Sequence, residues 1–429
     1  MALYPSESEK INMKSIFQKI TVQKVVKGFR YLKHYGWKEF IIRLQEKMEA
    51  ENVPYEPWYE KHKATAEQIE KQKKQAEKWN DAPKISIVVP LFKTPETFLR
   101  AMIESVQAQT YGNWQLCLAD GSGAGDEDAD PKASLVQSIV NEYASADARI
   151  RYECLTGNQG IAGNTNAAIA LADGDWIAFM DHDDLLAPDA LFEMVKMIRQ
   201  GFHDEDGLAA TVYREAGNDY EMLYTDEDKV DMDGKTHFQP HLKPDFNIDL
   251  LRSNNYITHF LAVKRSLLDQ VGGIRSDFDG AQDYDMFLRL LEKAKRVCHI
   301  QKVLYYWRLH AGSVASGVGA KPYTVEAGRK ALEEHLHREN IIGKAYSSEL
   351  YGPFYTVDYH ISKNDKNLVV VESKQARKFA IQEINKSDLK YDIVVADEFK
   401  ESQVSSYDNV IFVISKGWNQ YQFEKYIPM

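Results

Sequence analysis

Apolar residues fall along this chain in two rhythms. Between residues 84 and 200, short strand-like runs alternate with stretches in which apolar residues recur every three or four positions. "KISIVVP" (84–90), "WQLCLAD" (114–120), "RIRYEC" (149–154) and "DWIAFMD" (175–181) are of the first kind, and they predict strands buried in a largely parallel sheet. "ETFLRAMIESVQAQ" (96–109) and "PDALFEMVKMIRQ" (188–200) have the helical period, with Pro188 suited to a first helical turn. The first two strands begin about 30 residues apart, the length of one βαβ unit. Such alternation builds a doubly wound α/β sheet, in which ligands bind beyond the carboxyl ends of the strands.

The rhythm continues less regularly downstream. "EMLYTDEDKVDMDGK" (221–235) predicts a strand followed by an acidic turn, with "TDED" (225–228) exposed unless it serves an acceptor. "YITHFLAVKRSLLDQVGGI" (256–274) predicts a strand and a short helix ended by Gly272–Gly273. "GAQDYDMFLRLLEKA" (280–294) is a loop running into a helix, "CHIQKVLYYWRLHAGSVASG" (298–317) a strand and a Gly/Ser-rich loop, and "YTVEAGRKALEEHLHREN" (323–340) a last helix. Residues 345–429 hold three strand-like runs, "NLVVVES", "YDIVVAD" and "NVIFVIS", with no reactive cluster. They are expected to form a small second α/β unit. Residues 1–82 are expected to be a helical appendage, in which "NVPYEPWYEKH" makes a bend at Pro54 and Pro57 before the charged helix "ATAEQIEKQKKQAEKW". The expected division is therefore 1–82, 83–344 and 345–429.

Charge changes this picture at one end. The chain of 429 residues has a net charge of −11. Residues 10–48 carry ten Lys/Arg against Glu39 and Glu46, about +8, which leaves about −19 for the remainder. An acidic body argues against nucleic acid as a partner. The basic segment suits either an anionic membrane surface or a protein contact, including a second copy of the chain. Cys117, Cys154 and Cys298 lie far apart, which fits a reducing compartment and no disulfide framework. No apolar stretch approaches the roughly 20 residues that cross a bilayer, and the opening "MALYPSESEKINMK" lacks the apolar core of a signal peptide. The expected location is cytoplasmic, peripheral to the inner face of the membrane if 10–48 binds it.

Candidate chemistry collects at the predicted strand ends. Pro90, Leu91 and Phe92 follow the first strand. Asp120 closes the second, ahead of the loop "GSGAGDEDADP". "TGNQGIAGNTNAAIA", with Gly160 and Asn166, follows the third, its glycines and asparagines letting backbone approach a ligand. "DHDD" (181–184) ends the fourth. Three carboxylates this close disfavour one another's ionisation, so the cluster calls for a positive partner. Oxygen ligands suit a hard divalent cation such as Mg²⁺ or Mn²⁺, often shared with phosphate oxygens. A nucleotide-activated substrate follows, with Phe92 and Asp120 placed to receive its base. His182 reads as a spacer within this donor-binding stretch, and Asp184 as either functional or a cap for the helix at Pro188.

The ordered motifs "SIVVPLF", "LADGSG", "NQGIAGNTNAA", "FMDHDDLLAPDAL", "GAQDYDMFLRL" and "YYWRLHAGSVA" resemble those of inverting family-two glycosyltransferases with the GT-A nucleotide-sugar-binding fold, over about residues 84–317. "YTDEDK" and "LKPDFNIDLLRSNNYITHFLAVKR" further resemble bacterial enzymes that build surface polysaccharides. The resemblance implies that Asp120 binds the base, that Asp181 lies near the ribose and Asp183 is the main metal ligand of a DxD motif, that Asp283 is the general base, and that His310 lies near the diphosphate or metal. It implies UDP- or dTDP-sugar donors and a glycan or lipid-linked glycan acceptor. Gln282, Lys93 and Ala119 stand where many relatives have an acidic residue, Asn and Asp. The QxxRW motif of processive synthases is absent, which implies transfer of one sugar at a time. Asp285, two residues past Asp283, is expected to be structural. The alternatives are a sugar-nucleotide pyrophosphorylase, whose glycine-rich first loop is missing from "PLFKTPE", and a non-catalytic sugar-nucleotide-binding protein.

Overall fold

The computed structural model describes residues 55–123, 131–201, 219–309, 322–348, 353–371 and 390–413, with Arg377 and Ile381. The basic segment 10–48, the acidic loop 124–130 and His310 with the loop after it lie outside the described residues.

Among those residues the chain runs α1 (Tyr55–His62), α2 (Ala66–Ala76), β1 (Ile85–Leu91), α3 (Glu96–Gln107), β2 (Trp114–Asp120), α4 (Pro131–Ala146), β3 (Ile150–Cys154), α5 (Gly160–Leu171), β4 (Trp176–Phe179), β5 (Leu185–Leu186) and α6 (Ala190–Gln200). It continues with β6 (Met222–Val230), β7 (His237–His241), α7 (Ile248–Ser253), β8 (Leu261–Lys264), α8 (Arg265–Val271), α9 (Gln282–Leu291), β9 (Val297–Arg308) and α10 (Pro322–Arg338). Last come β10 (Gly343–Ser347), β11 (Tyr355–Tyr359), β12 (Asn367–Val371), β13 (Tyr391–Val395) and β14 (Asn409–Val413).

One mixed sheet has the order β3-β2-β1-β4-β8-β6-β9-β5, with β7 paired to β6. β1 lies between β2 and β4, and β1 to β4 are all parallel, as the strand–helix alternation predicted. Beyond β4 the direction alternates: β8 is antiparallel to both β4 and β6, β9 is parallel to β6, and β5 is antiparallel to β9. Side chains alternate across the sheet, and both faces are covered. Ile85, Ile87, Val89 and Leu91 pack with Leu99, Met102 and Ile103 of α3 and Val195 of α6. Val88 points the other way, into a cluster with Ala162 and Ala168 of α5 and Phe287 and Leu291 of α9. α3 presents Phe98, Leu99, Met102, Ile103 and Val106 as one apolar stripe.

Several expectations need correction. "YEPWYEKH" is helical, not bent: Pro57 is the third residue of α1, inside the first turn, where its missing N–H has no helical partner to lose. α1 packs on the sheet through Tyr59, whose hydroxyl donates to that of Tyr306 at 2.7 Å and whose ring stacks on His237 at 3.8 Å. α2 begins at Thr65 with a reciprocal cap to Gln68. α6 begins at Ala190, so Pro188 precedes the helix. "TDED" is not an exposed turn but the buried middle of β6; the turn comes later, at Asp231–Gly234. A hairpin, β10–β11, precedes the C-terminal strands and was not anticipated. β12 is flanked by β13 and β14 in a three-stranded parallel sheet, the α/β character expected of 345–429. The three cysteines are free. No helix among the described residues is long and apolar enough to cross a membrane.

Candidate functional site

β1 and β2 end in register, with Leu91 opposite Asp120. Asp120 is fully buried. Its Oδ1 accepts from the Ser122 N–H (2.9 Å) and hydroxyl, and its Oδ2 accepts from the Tyr152 hydroxyl (2.9 Å). Burial and the Asp120 charge push the Tyr152 phenol well up. Ser122 Oγ in turn accepts from the Lys93 N–H at 2.8 Å. The carboxylate thus fixes the turn after each of two strands. Of the three residues at the β1 tip, Leu91 is buried and Pro90 partly so, whereas Phe92 is 42% exposed, with the Lys93 ammonium 5.6 Å from its ring.

The loop after β3 is held by its asparagines. Buried Asn164 accepts from the Gln159 N–H (3.1 Å) and donates to Asn158 Oδ1 (3.0 Å). A Cβ on Gly121 would come within 2.5 Å of the Asn164 amide, so a larger residue there would displace this side chain of α5 from its bonds. Gly160 opens α5 at φ +75°, where a side chain would be strained. Asn166 spends both ends of its amide on the backbone of Ile274, donating to the carbonyl (2.7 Å) and accepting from the N–H (2.8 Å). It joins α5 to the loop after α8.

The four residues after β4 play different parts. Asp184 is fully buried and does not cap α6. It accepts from the Tyr305 hydroxyl (2.6 Å) and from the Arg308 N–H (2.8 Å), binding the loop to β9. Burial, then the Asp183 and Asp181 charges, push its carboxyl well up. Arg308 Nε donates to the Asp183 carbonyl at 2.7 Å. His182 is partly buried, and its Nδ1 is enclosed without a hydrogen-bond partner among the described residues. Asp181 is partly buried and its side chain is 48% exposed, so the cluster opens to solvent at a cleft beside it. Its Oδ2 lies 3.4 Å from Nε2 of His259. Burial works to raise the Asp181 carboxyl, but His259 prevails and holds it low. One ligand atom each from Asp181, Asp184 and His259 falls within a 4.8 Å span. Asp183, the metal ligand that the motif implied, is outside that group, and Asp184 is inside it.

Asp283 is the second residue of α9 and is partly buried. Asn255 Nδ2 donates to its Oδ2 at 2.9 Å. Burial raises its carboxyl; His259 lowers it and Asp181 raises it, so the three groups share one electrostatic neighbourhood. Gln282 turns back to accept from the Gly280 N–H at 2.7 Å. Asp285 is fully buried and paired with Arg275 and Arg289, the structural role expected of it.

His259, Tyr305, Asn255 and Glu227 were not anticipated here. A signal for part of this set was present: "TDED" follows an apolar run, and acids inside a core strand need partners. The partners are histidines and a lysine. Asp226 meets His299 Nε2 (2.9 Å) and the Lys243 N–H (2.8 Å). Asp228 meets His237 Nδ1 and the Tyr55 hydroxyl, both at 2.8 Å. Glu227 meets His241, Lys243, Thr258 and His259.

Known proteins share this sequence pattern. The chain is 44% identical over 260 residues to the uncharacterized protein y4gI of Sinorhizobium fredii, covering 60% of this chain and 26% of that one. It is 35% identical over 295 residues to the O-antigen biosynthesis protein RfbC of Myxococcus xanthus, covering 68% and 21%. It therefore spans about a quarter or less of the length of these two relatives. Among solved structures, S. aureus TarS 1–349 in complex with UDP-GlcNAc is 18% identical, covering 59% of this chain and 66% of that one, with a TM-score of 0.44. Residues 86–272, from β1 through α8, match the model of Glycosyl transferase family 2, so the chain carries over that stretch a domain of this family, which holds Asp120, the 181–184 cluster and His259.

Proposed function

We propose that the protein is a metal-dependent, inverting glycosyltransferase. It moves one sugar at a time from a UDP- or dTDP-sugar to a hydroxyl of a glycan or lipid-linked glycan acceptor, in the synthesis of bacterial cell-surface polysaccharide. The observation that carries this reading is that Asp283 shares one electrostatic neighbourhood with the Asp181–His259 pair, which we read as a base beside a cation site. The match of residues 86–272 to the family-two model supports glycosyl transfer, and the similarity to an O-antigen biosynthesis protein supports the polysaccharide setting.

The residues fit a divalent ion. Two carboxylates and an imidazole within a 4.8 Å span are a donor set that suits Mn²⁺ better than Mg²⁺, which prefers oxygen ligands alone. Asp184 is a fully buried carboxyl whose ionisation burial opposes and a nearby cation favours. Asp181, Asp184 and His259 would hold the ion, with Asp183 on the same loop and His310 completing the set. Bound there, the ion would supply Lewis-acid neutralisation of the leaving diphosphate.

The chain's own residues supply the rest. Phe92 offers an exposed ring to the base, above the turn that Asp120 fixes. Asn255 holds Asp283 in place, and Asp283 takes the proton of the acceptor hydroxyl. The hydroxyl oxygen bonds to the anomeric carbon from the side opposite the leaving group. The bond from that carbon to the diphosphate oxygen breaks, releasing the nucleoside diphosphate with inversion. In the same reading residues 83–344 form the catalytic unit and the basic stretch 10–48 meets an anionic membrane surface.

The test is to incubate the protein with a panel of UDP- and dTDP-sugars and Mn²⁺, with and without glycan acceptors, and to measure nucleoside diphosphate. Release that EDTA abolishes and an acceptor increases is expected. No release with any combination would sink the proposal, and pyrophosphate-dependent nucleoside triphosphate formation would point to a pyrophosphorylase.

A further inference from the structure

The "TDED" strand reaches the cleft through one of its residues. We infer that Glu227 is a positioning residue of the donor site: it keeps the proton of the His259 ring on Nδ1, so that Nε2 is the nitrogen presented to the Asp181–Asp184 cation site. The inference rests on the reading of that cluster as a cation site.

Glu227 has a 4% exposed side chain and is surrounded by donors. Its Oε1 receives His241 Nδ1 (3.1 Å) and the Thr258 hydroxyl (3.1 Å). Its Oε2 receives Lys243 Nζ (3.4 Å), the His259 N–H (3.3 Å) and His259 Nδ1 (3.3 Å). An ionised carboxylate only accepts hydrogen bonds, so the His259 nitrogen that faces it must carry a proton. The other nitrogen lies 3.4 Å from Asp181 Oδ2, so by the same rule the ion-free ring carries a proton on each nitrogen, and an ion at the cluster would displace the Nε2 proton and leave the one that Glu227 holds. A carboxylate on one side of an imidazole and a cation site on the other is the arrangement by which proteins fix the tautomer and aim of a histidine ligand.

The surroundings hold the ring as well as its proton. His259 stacks on Tyr305, with ring centroids 4.7 Å apart and planes 8° from parallel, and the Tyr305 hydroxyl donates to Asp184. One side chain thus orients two members of the cluster. Lys243, whose side chain is fully buried, donates to the carbonyls of Ile257 and His259 as well as to Glu227. Between those carbonyls Thr258 sits at φ +40°, an unfavourable region for a β-branched residue; its hydroxyl is bonded to Glu227. The flanking acids do something else. Side chains alternate along β6, and Asp226 and Asp228 meet His299 and His237. Among the described residues of this strand, Glu227 alone has a hydrogen-bonded histidine that also reaches the cleft cluster.

The experiment reads the ring directly, without substrate or metal. In ¹⁵N-labelled protein, two-bond ¹H–¹⁵N spectra distinguish Nδ1–H from Nε2–H, and the His259 signals are assigned by their loss in His259→Gln. Wild-type protein is expected to show a proton on each ring nitrogen, and Glu227→Gln to lose the one on Nδ1 while Nε2, facing Asp181, keeps its own. Mn²⁺ titrated into the same proteins and followed by electron paramagnetic resonance is expected to bind Glu227→Gln about 10- to 100-fold more weakly. A bare Nδ1 in wild-type protein overturns the inference and needs no variant to fold. Unchanged His259 shifts, or unchanged Mn²⁺ affinity, in folded Glu227→Gln overturn it too. Wild-type protein that shows Nδ1–H but binds no Mn²⁺ overturns the cation site itself, a distinct failure.

Discussion

Two short stretches of this chain hold three carboxylates each, and they do opposite things. Asp181, Asp183 and Asp184 follow β4; Asp226, Glu227 and Asp228 lie inside β6. The β6 acids are all buried, and the fold supplies each with a cation or hydroxyl: His299, Lys243, His241, His259, His237, Tyr55. The β4 acids divide. Asp184 is sealed against Tyr305 and Arg308, while Asp181 faces the cleft with His259 as its ion-pair partner. Density of acid therefore does not mark a site. What distinguishes the β4 cluster is that it meets open space: the Asp181 side chain is 48% exposed, whereas the β6 acids are enclosed. The two stretches also touch, because His259 answers to both Glu227 and Asp181.

The largest expected effect tests whether the open cluster has its reaction partner in Asp283. Asp283→Asn should lower sugar transfer about 10²- to 10⁴-fold while nucleotide affinity, measured by calorimetry, stays the same. Near-normal transfer would remove Asp283 as the base. Because burial raises its carboxyl, the acidic limb of the wild-type pH–rate profile should lie above the usual carboxylate value of about 3.9.

The contrast itself is tested by a pair of substitutions. Asp226→Ala leaves a buried histidine without this partner and should cost about 3–5 kcal/mol in urea unfolding. Asp181→Asn, at a half-exposed side chain, should cost at most about 1 kcal/mol yet abolish metal-dependent nucleotide binding. Equal losses of stability would erase the distinction drawn here.

Protonation gives a smaller signal, of up to about 1.4 kcal/mol per pH unit per proton, with opposite signs for Glu227 and Asp184. Burial works to raise the Glu227 carboxyl, but Lys243 and the histidines override it and hold it well below its usual value. Its contribution to stability is present above the unfolded value, about 4.3, and is lost as pH falls through the lower folded value. Asp184 is pushed up, so over the interval from about 3.9 to its folded value the folded state binds the extra proton and stability falls as pH rises. Urea unfolding across pH should show Asp184→Asn losing that fall and Glu227→Gln losing the acid-side rise.

The finest distinction lies within "DHDD". Asp183→Ala should weaken Mn²⁺ binding less than Asp181→Asn does, since Asp183 is outside the converging group. A larger effect of Asp183→Ala would favour the motif's assignment over the geometry.

The legible parts of the sequence were those fixed by local periodicity. β1, β2, α3 and α9 are where apolar runs and helical stripes placed them, because each pattern is complete within one element. Misreadings came where a partner lies far off in sequence. "TDED" looked like a turn because three acids are costly in a core strand, and His237, His241, Lys243, His259 and His299, up to 73 residues away, remove that cost. Pro57 looked like a bend because its harmless place in a first helical turn is invisible without the helix start.

By itself, then, the sequence determined the α/β class, the parallel β1–β4 half and the residue types gathered at the strand ends, since apolar periodicity and strand direction are local properties. Only the tertiary structure decided which carboxylates converge. It decided between cap and site for Asp184 in favour of the cluster, left Asp183 outside the group, and brought His259, with Glu227 behind it, to Asp181. A side chain's neighbours across a sheet depend on the order and register of its strands, and those are set by how the whole chain packs.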